Sequence, residues 1–320
     1  MFLFEFRHDN KSAYLLGSVH SLSLDFLPRE AKKFLLKQTV LITEGEEEKS
    51  VSERLQFLSK LNLLNENADS THDNIDQRIL KIAKKALHNK PELNLKLNDL
   101  SHEGVIMFAA QEGHKGMDSE LAKHYIQERK LVLNLDDANT FQGMDIKYLE
   151  NYVISSIENP IGSNIMSLAY LERCMLTDML PSDDDPMLIK QRNTSWITKI
   201  ENYFEKYNNG VVCCVGTAHL FGEYGLLKLL IERGYLINRI KNDLSKIVFS
   251  RDDLNELESS AKDLFTYDEN INEWFVNKEL DIEVESNSLL NSIILANPFH
   301  EFQDNNSIEI DIGIGLLGLN

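Results

Sequence analysis

The sequence lacks the features of disulfide-rich secreted domains and of membrane spans. Its 320 residues contain three cysteines, Cys174, Cys213 and Cys214, an odd and small number that argues against a disulfide framework. No apolar run has the length of a membrane span, and the amino-terminal residues alternate apolar and charged side chains instead of forming a signal peptide. We therefore expect a reducing compartment, with the protein either cytoplasmic or exported without a cleavable signal peptide.

Basic residues are scarce relative to acidic ones. The chain has 33 Lys and Arg residues against 51 Asp and Glu residues, which gives a formal net charge of −18. Binding to nucleic acid phosphates requires clustered Lys and Arg, and anionic membrane surfaces attract the same clusters. The composition thus argues against nucleic acid and membrane partners. The expected partner, a peptide or small-molecule substrate, is implied by the family resemblance given below.

Strand and helix patterns alternate along most of the chain. Apolar runs predict a hairpin from 2–7 and 13–17 and further strands at 40–43, 130–135, 211–216 and 235–240, with helices at 28–38, 116–125, 189–207 and 226–233 among others. Strands that alternate with helices indicate an α/β fold with a mostly parallel sheet and helices packed around it. Cys213 and Cys214 lie within one apolar strand, which predicts buried hydrophobic residues.

Beyond residue 240 the chain becomes more acidic and less periodic. We predict an α/β domain over residues 1–240 and an acidic C-terminal extension over 241–320. The extension is an appendage that offers a surface for a protein partner.

Two segments share an unusual form, an apolar run that ends in Gly-x-x-His. They are YLLGSVH at residues 14–20 and VVCCVGTAH at residues 211–219. Each pattern predicts a buried strand that ends at a glycine, makes a tight turn and presents a histidine beyond its carboxyl end. Ligands bind at that edge of open α/β sheets, so the repetition predicts two imidazoles brought together from separate strands.

Four polar residues follow predicted strands: His20, Glu44, Asp136 and His219. If the strands are neighbours in one parallel sheet, these side chains lie along the same edge. Two imidazoles with carboxylates suit a Zn, Mn or Co ion. They also suit a metal-free acid–base pair in which a carboxylate orients a histidine. Each residue by itself is more readily explained as a turn or cap residue.

The helix before the second Gly-x-x-His strand carries Arg192 on its apolar face, between Ile189 and Trp196. A buried arginine needs a carboxylate or an anionic ligand, because an unpaired buried charge is very costly. The spacing is equally compatible with a surface arginine whose aliphatic stem covers the core.

These features occur in the order found in the TraB/PrgY/gumN family, which includes the Tiki proteases, and the chain resembles that family over most of residues 1–240. The corresponding segments are YLLGSVH at 14–20, VLITE at 40–44, GMD at 116–118, LDDANTFQ at 135–142, RNTSW at 192–196, VGTAHLFGEYGLL at 215–227 and GY at 234–235. Two departures occur: Asp136 stands where the family has a glutamate, and residues after 241 extend past the usual family end.

The resemblance implies an erythromycin-esterase/ChaN-like α/β fold built from two related halves, and a metal-dependent, peptidase-like hydrolase. In this hypothesis a divalent Mn, Co or Zn ion and its water are held by His20, Glu44, His219 and Asp136. Arg192 would stabilise the oxyanion or bind a substrate carboxylate, with Asn193 supporting it. The alternatives are a metal-free esterase-like hydrolase in which His20 or His219 activates water, and a non-catalytic protein that binds a peptide, haem or another small ligand.

Overall fold

The computed structural model describes residues 1–20, 22–45, 50–65, 72, 74–112, 116–137, 145–158, 188–207, 210–259, 265–268 and 273–276. Gln142 of the LDDANTFQ segment, Cys174 and residues 277–320 of the predicted extension lie outside the described residues.

Seven of the described strands form one mixed sheet. They are β1 (Phe2–His8), β2 (Lys11–Ser18), β3 (Val40–Thr43), β4 (Leu131–Asn134), β5 (Val211–Gly216), β6 (Leu236–Ile240) and β7 (Lys246–Phe249). Their order across the sheet is β4-β3-β5-β2-β1-β6-β7. Two further strands, β8 (Phe265–Asp268) and β9 (Glu273–Val276), form a separate antiparallel pair.

Nine α-helices lie in the described ranges and cover the sheet or pack beside it. They are α1 (Arg29–Leu36), α2 (Val51–Lys60), α3 (Gln77–His88), α4 (His102–Glu112), α5 (Met117–Gln127), α6 (Ile146–Glu158), α7 (Ile189–Lys206), α8 (Leu226–Glu232) and α9 (Arg251–Ser259). No helix of this part of the chain is long and apolar enough to cross a membrane. The prediction of an α/β fold with an N-terminal hairpin is confirmed, and the relation between two halves stays a prediction.

The prediction of a mostly parallel sheet is wrong. β4, β3, β5 and β2 pair in parallel, but β1 pairs antiparallel with both β2 and β6, and β7 pairs antiparallel with β6. With β8 and β9 included, four of the seven described strand pairs are antiparallel. The physical reason is the hairpin, which places β1 inside the sheet between β2 and β6. Because β1 runs opposite to both neighbours, one inserted strand creates two antiparallel pairs.

The parallel part of the sheet is buried on both faces. All six residues of β5 and all four of β3 are buried, and Cys213 and Cys214 are inaccessible as predicted. Continuous apolar strands of this kind are typical of parallel sheets covered by helices on both sides. On one face Phe6 of β1 packs against Phe204 of α7, and on the other Tyr14 of β2 packs against Phe34 of α1.

A second hydrophobic core lies between helices α2, α3, α4 and α6. Ile79, Ile82, Phe108 and Val153 are among its fully buried side chains. Helices α2, α3 and α4 come between the adjacent strands β3 and β4 in the chain, and α6 follows β4.

The sheet continues beyond residue 240. Phe249 of β7 and Leu254 of α9 are buried in the same core as the strands, and Lys246 Nζ lies 2.8 Å from Oε1 of the buried Glu5 of β1. The first residues of the predicted extension therefore form part of the main body, while independent folding of residues 1–240 stays a prediction.

Candidate active site

Four consecutive parallel strands end at one edge of the sheet, and each is followed by a polar residue that the sequence singled out. His20 follows β2, Glu44 follows β3 and Asp136 follows β4, whereas His219 lies in the 3-10 turn Thr217–Leu220 directly after β5. Because β4, β3, β5 and β2 are neighbours in that order, the four side chains come together at this edge.

Backbone pairing between β3 and β4 continues past the strand ends. The Leu135 N–H donates to Thr43 O at 2.9 Å, and the Asp136 N–H donates to Glu44 O at 2.8 Å. This pairing places two carboxylates side by side, an arrangement that needs a positive charge between them.

Arg192 of α7 provides that charge. Its Nη2 lies 2.7 Å from Glu44 Oε2 and 2.8 Å from Asp136 Oδ2, and the residue is only 4% exposed. Asp136 Oδ1 accepts a further hydrogen bond from the Trp196 indole N–H at 2.9 Å. Burial nevertheless raises the pKa of Asp136 to about 6 against the effect of Arg192. Arg192 is thus a buried partner of two carboxylates and not a surface arginine.

Glu44 is held as a carboxylate. Burial alone would raise its pKa, but the positive charges of Arg192 and His20, joined by that of His219 only where it is protonated, hold the pKa of Glu44 well below its usual range. The Gly216 N–H donates to Glu44 Oε1 at 2.5 Å and acts in the same direction. Both oxygens of Glu44 therefore have donors, one from β5 and one from α7.

The two histidines of the Gly-x-x-His segments have different partners. His20 Nδ1 lies 3.1 Å from Asp118 Oδ2. Burial opposes a charged imidazole here, but the charges of Asp118 and Glu44 outweigh it and raise the pKa of His20 to about 9. His20 is consequently protonated at neutral pH, and its Nδ1–H donates to Asp118.

His219 is neutral at neutral pH. It is 3% exposed, and burial together with the positive charges of Arg192 and His20 lowers its pKa to about 3, although Glu44 acts in the opposite direction. Its Nδ1 lies 2.7 Å from Asn193 Oδ1 and its Nε2 lies 3.8 Å from Glu44 Oε1. Because an amide oxygen only accepts, Nδ1 carries the proton and Nε2 presents its lone pair.

The side chains converge above Gly216. A Cβ atom placed on this glycine would lie 3.2 Å from Glu44 Oε1, 3.3 Å from His20 Nε2 and 3.8 Å from His219 Cδ2. A glycine at the end of β5 thus keeps a side chain away from the point that all three groups face. The arrangement offers a carboxylate, a neutral imidazole and a protonated imidazole around one position, which is a set suited to acid–base chemistry.

Sequence reasoning missed three contributors to this site. Asp118 belongs to the GMD segment, which was interpreted only as a helix start, and Trp196 was interpreted only as part of an apolar helix face. Gly216 was assigned to the turn and not to the binding of Glu44. Asn193, expected as a support for Arg192, is hydrogen-bonded to His219. The GMD and RNTSW segments carried the signal, because Asp118 and Trp196 lie in segments that the family resemblance had already singled out.

The described side chains do not fit a divalent ion. Within the described ranges no three His, Cys, Asp or Glu side chains are placed to hold one ion together. Both oxygens of Asp136 accept from Arg192 or Trp196, and both oxygens of Glu44 accept from Arg192 or Gly216. An ion would have to compete with a buried guanidinium that already neutralises these carboxylates. Metal binding stays a prediction, as does the metal-free alternative.

Comparison with protein families matches the chain to the model described as TraB/PrgY/gumN family, over residues 2–239. The matched range begins in β1 and ends in β6, and it includes every residue of the site described above. Comparison with curated proteins finds no match, and neither does comparison with solved structures.

Proposed function

The chain belongs to the TraB/PrgY/gumN family, and we propose that it is a hydrolase that uses water to cleave a peptide or ester bond without a metal ion. One observation carries the proposal: His219 Nε2 and Glu44 Oε1, two proton acceptors, face each other at 3.8 Å beside Gly216. Polar atoms at this separation are suited to a bridging water. A water that donates one hydrogen to each acceptor is oriented for attack and loses a proton to one of them as its oxygen bonds to the acyl carbon.

His20 is the proton donor in this proposal. Its protonated state is maintained by Asp118, and its Nε2 lies 3.3 Å from a Cβ position above Gly216, so it faces the same point as the two acceptors. As the bond between the acyl carbon and the leaving nitrogen or oxygen breaks, Nε2–H protonates the leaving atom. Positioned acids and bases of this kind each contribute about 10²–10⁴ in rate.

Arg192 has a supporting role in this scheme and does not contact the substrate. Its Nη2 binds both Glu44 and Asp136, so it keeps Glu44 ionised and fixed beside Gly216. Asp136 and Trp196 in turn fix the guanidinium, the first by hydrogen bonds and the second with its ring 4.6 Å from the guanidinium carbon. This role differs from the oxyanion role that the resemblance implied.

The test is turnover of a panel of peptides and acyl esters by the purified chain, measured with a chelator and with added Mn, Co or Zn. We expect turnover to survive the chelator and to fall at least about a hundredfold in the Glu44→Gln and His219→Gln variants. His88→Gln changes an exposed histidine of α3 and serves as the matched control. Turnover that requires an added metal would favour the metal-dependent peptidase, and absence of turnover under all conditions would favour a binding protein.

A further inference from the structure

The side chain of Asn193 is fully buried and makes three hydrogen bonds in two directions. Its Nδ2 donates to the backbone carbonyl oxygens of His219 at 2.9 Å and of Tyr224 at 2.8 Å, and its Oδ1 lies 2.7 Å from His219 Nδ1. Helix α7 presents this amide one residue after Arg192. Of these two adjacent residues, Arg192 binds the carboxylates and Asn193 binds His219.

The two carbonyl contacts decide the orientation of the amide. A carbonyl oxygen can only accept, so the group that faces His219 O and Tyr224 O must be the NH₂ group. A flipped amide would direct its own oxygen at two carbonyl oxygens and lose both bonds. Oδ1 is therefore fixed opposite His219 Nδ1, where it can only accept.

We propose that Asn193 is a positioning residue that fixes the proton of neutral His219 on Nδ1 and thereby keeps the Nε2 lone pair directed at Glu44. As a role in catalysis this rests on the proposed hydrolase, since it explains why His219 acts as a base. The assignment of the proton to Nδ1 stands on the hydrogen bonds of Asn193 alone.

The alternative tautomer would inactivate the site. With the proton on Nε2, His219 would donate to Glu44 Oε1, which a small rotation of the imidazole brings from 3.8 Å into hydrogen-bonding range. That bond would occupy both proton acceptors at once, and neither would be available to a water molecule. Asn193 prevents it, because Nδ1 without a proton would face Oδ1 with two acceptors in contact.

A purely structural role for Asn193 makes different predictions. Through His219 O and Tyr224 O the amide also ties the turn after β5 to helix α7. Asn193→Ala removes both the NH₂ donors and the oxygen opposite Nδ1, whereas Asn193→Asp removes the NH₂ group and keeps an oxygen there. The two variants therefore share the loss of the NH₂ donors and differ in whether an acceptor, in Asp a negatively charged one, faces Nδ1–H.

The test is the tautomer of His219 read from two-bond ¹H–¹⁵N NMR spectra of protein labelled at histidine, with His219→Gln to assign the signal. We expect Nδ1–H in the unaltered protein and Nε2–H in Asn193→Ala, whereas Asn193→Asp should keep a proton on Nδ1 because its carboxylate still accepts there. Turnover should follow the tautomer, with kcat reduced on the order of a hundredfold more in the Ala variant than in the Asp variant and KM little changed. Asn238→Ala, which removes a hydrogen bond to Glu5 away from the site, is the control for a general loss of stability.

The results separate this inference from the proposed function. Nε2–H in the unaltered protein would overturn it, and so would identical tautomers and identical losses in the Ala and Asp variants. The expected tautomers in a protein with no hydrolysis of any substrate would support the proton assignment and refute the hydrolase. If Asn193→Ala does not fold, the unaltered protein still decides, because Nε2–H without Nδ1–H in it contradicts the assignment.

Discussion

Replacing Asp118 by asparagine tests whether His20 is the protonated histidine of the site. Asn has the same size and keeps an oxygen near His20 Nδ1, but it removes the charge that lies 3.1 Å away. Burial lowers the pKa of His20, and Asp118 is the strongest opposing influence, so its removal leaves burial dominant. We expect the pKa of His20 to fall from about 9 to 6.5 or below in Asp118→Asn.

The sign and size of the effect on stability follow from the same shift. The folded-state pKa of about 9 lies above the value of 6.5 expected for an unfolded chain, so protonated His20 stabilises the folded protein fully below pH 6.5. That stabilisation is lost as the pH rises through about 9. The shift corresponds to about 3 kcal/mol, which Asp118→Asn should lose in acid and neutral solution and not in alkaline solution.

Two measurements check this expectation. Urea unfolding below pH 6.5 and above pH 9 gives the free energy of unfolding on either side of the transition, and the pH dependence of kcat gives the alkaline limb. Glu120→Gln is the control. It removes another carboxylate of the same helix, which accepts hydrogen bonds from Ser23 and Leu24, and it should leave both pH profiles unchanged. An alkaline limb at the same pH in Asp118→Asn and the unaltered protein would refute the role of His20 as the acid.

Three further predictions concern the rest of the site and the fold. Arg192→Met leaves two buried carboxylates without their cation and should lower the free energy of unfolding by about 3–5 kcal/mol, measured by urea titration. Gly216→Ala places a methyl group 3.2 Å from Glu44 Oε1 and should lower kcat on the order of a hundredfold with little change in circular dichroism. A chain ended after 241 loses β7 and α9 and should be less stable than one ended after 259 by roughly 3–5 kcal/mol. Equal stability of the two truncated chains would show that β7 and α9 contribute nothing to the core.

The individual strands were predictable because their signals are local. The strand predicted at 40–43 is β3, and the one predicted at 130–135 contains β4 (Leu131–Asn134). Continuous apolar runs between polar turns identify such strands without knowledge of their neighbours. The pairing was not predictable in the same way, because nothing in the sequence of β1 indicates that it lies between β2 and β6. That position depends on contacts with residues more than 200 positions away, such as Phe6 with Ile237.

The sequence predicted where the site lies, but it did not predict the protonation states of the two histidines. The Gly-x-x-His pattern places a histidine after the strand whatever surrounds it, so His20 and His219 were found from local sequence. The charge of His20 depends on Asp118, which is 98 residues away, and the hydrogen-bond partner of His219 is Asn193, which is 26 residues away. Both partners come from helices whose packing the sequence pattern does not specify.

The difference between the two histidines follows from the charge of the buried cluster. Arg192 and protonated His20 stand against Glu44, Asp118 and Asp136, and burial together with the charge of Glu44 raises the pKa of Asp136 to about 6. A proton on His219 as well would add a buried positive charge close to the other two. An amide at residue 193 avoids stabilising that charge, whereas a carboxylate there would favour it. Two motifs that are alike in sequence therefore supply a protonated and a neutral imidazole, one bound to a carboxylate and the other to an amide.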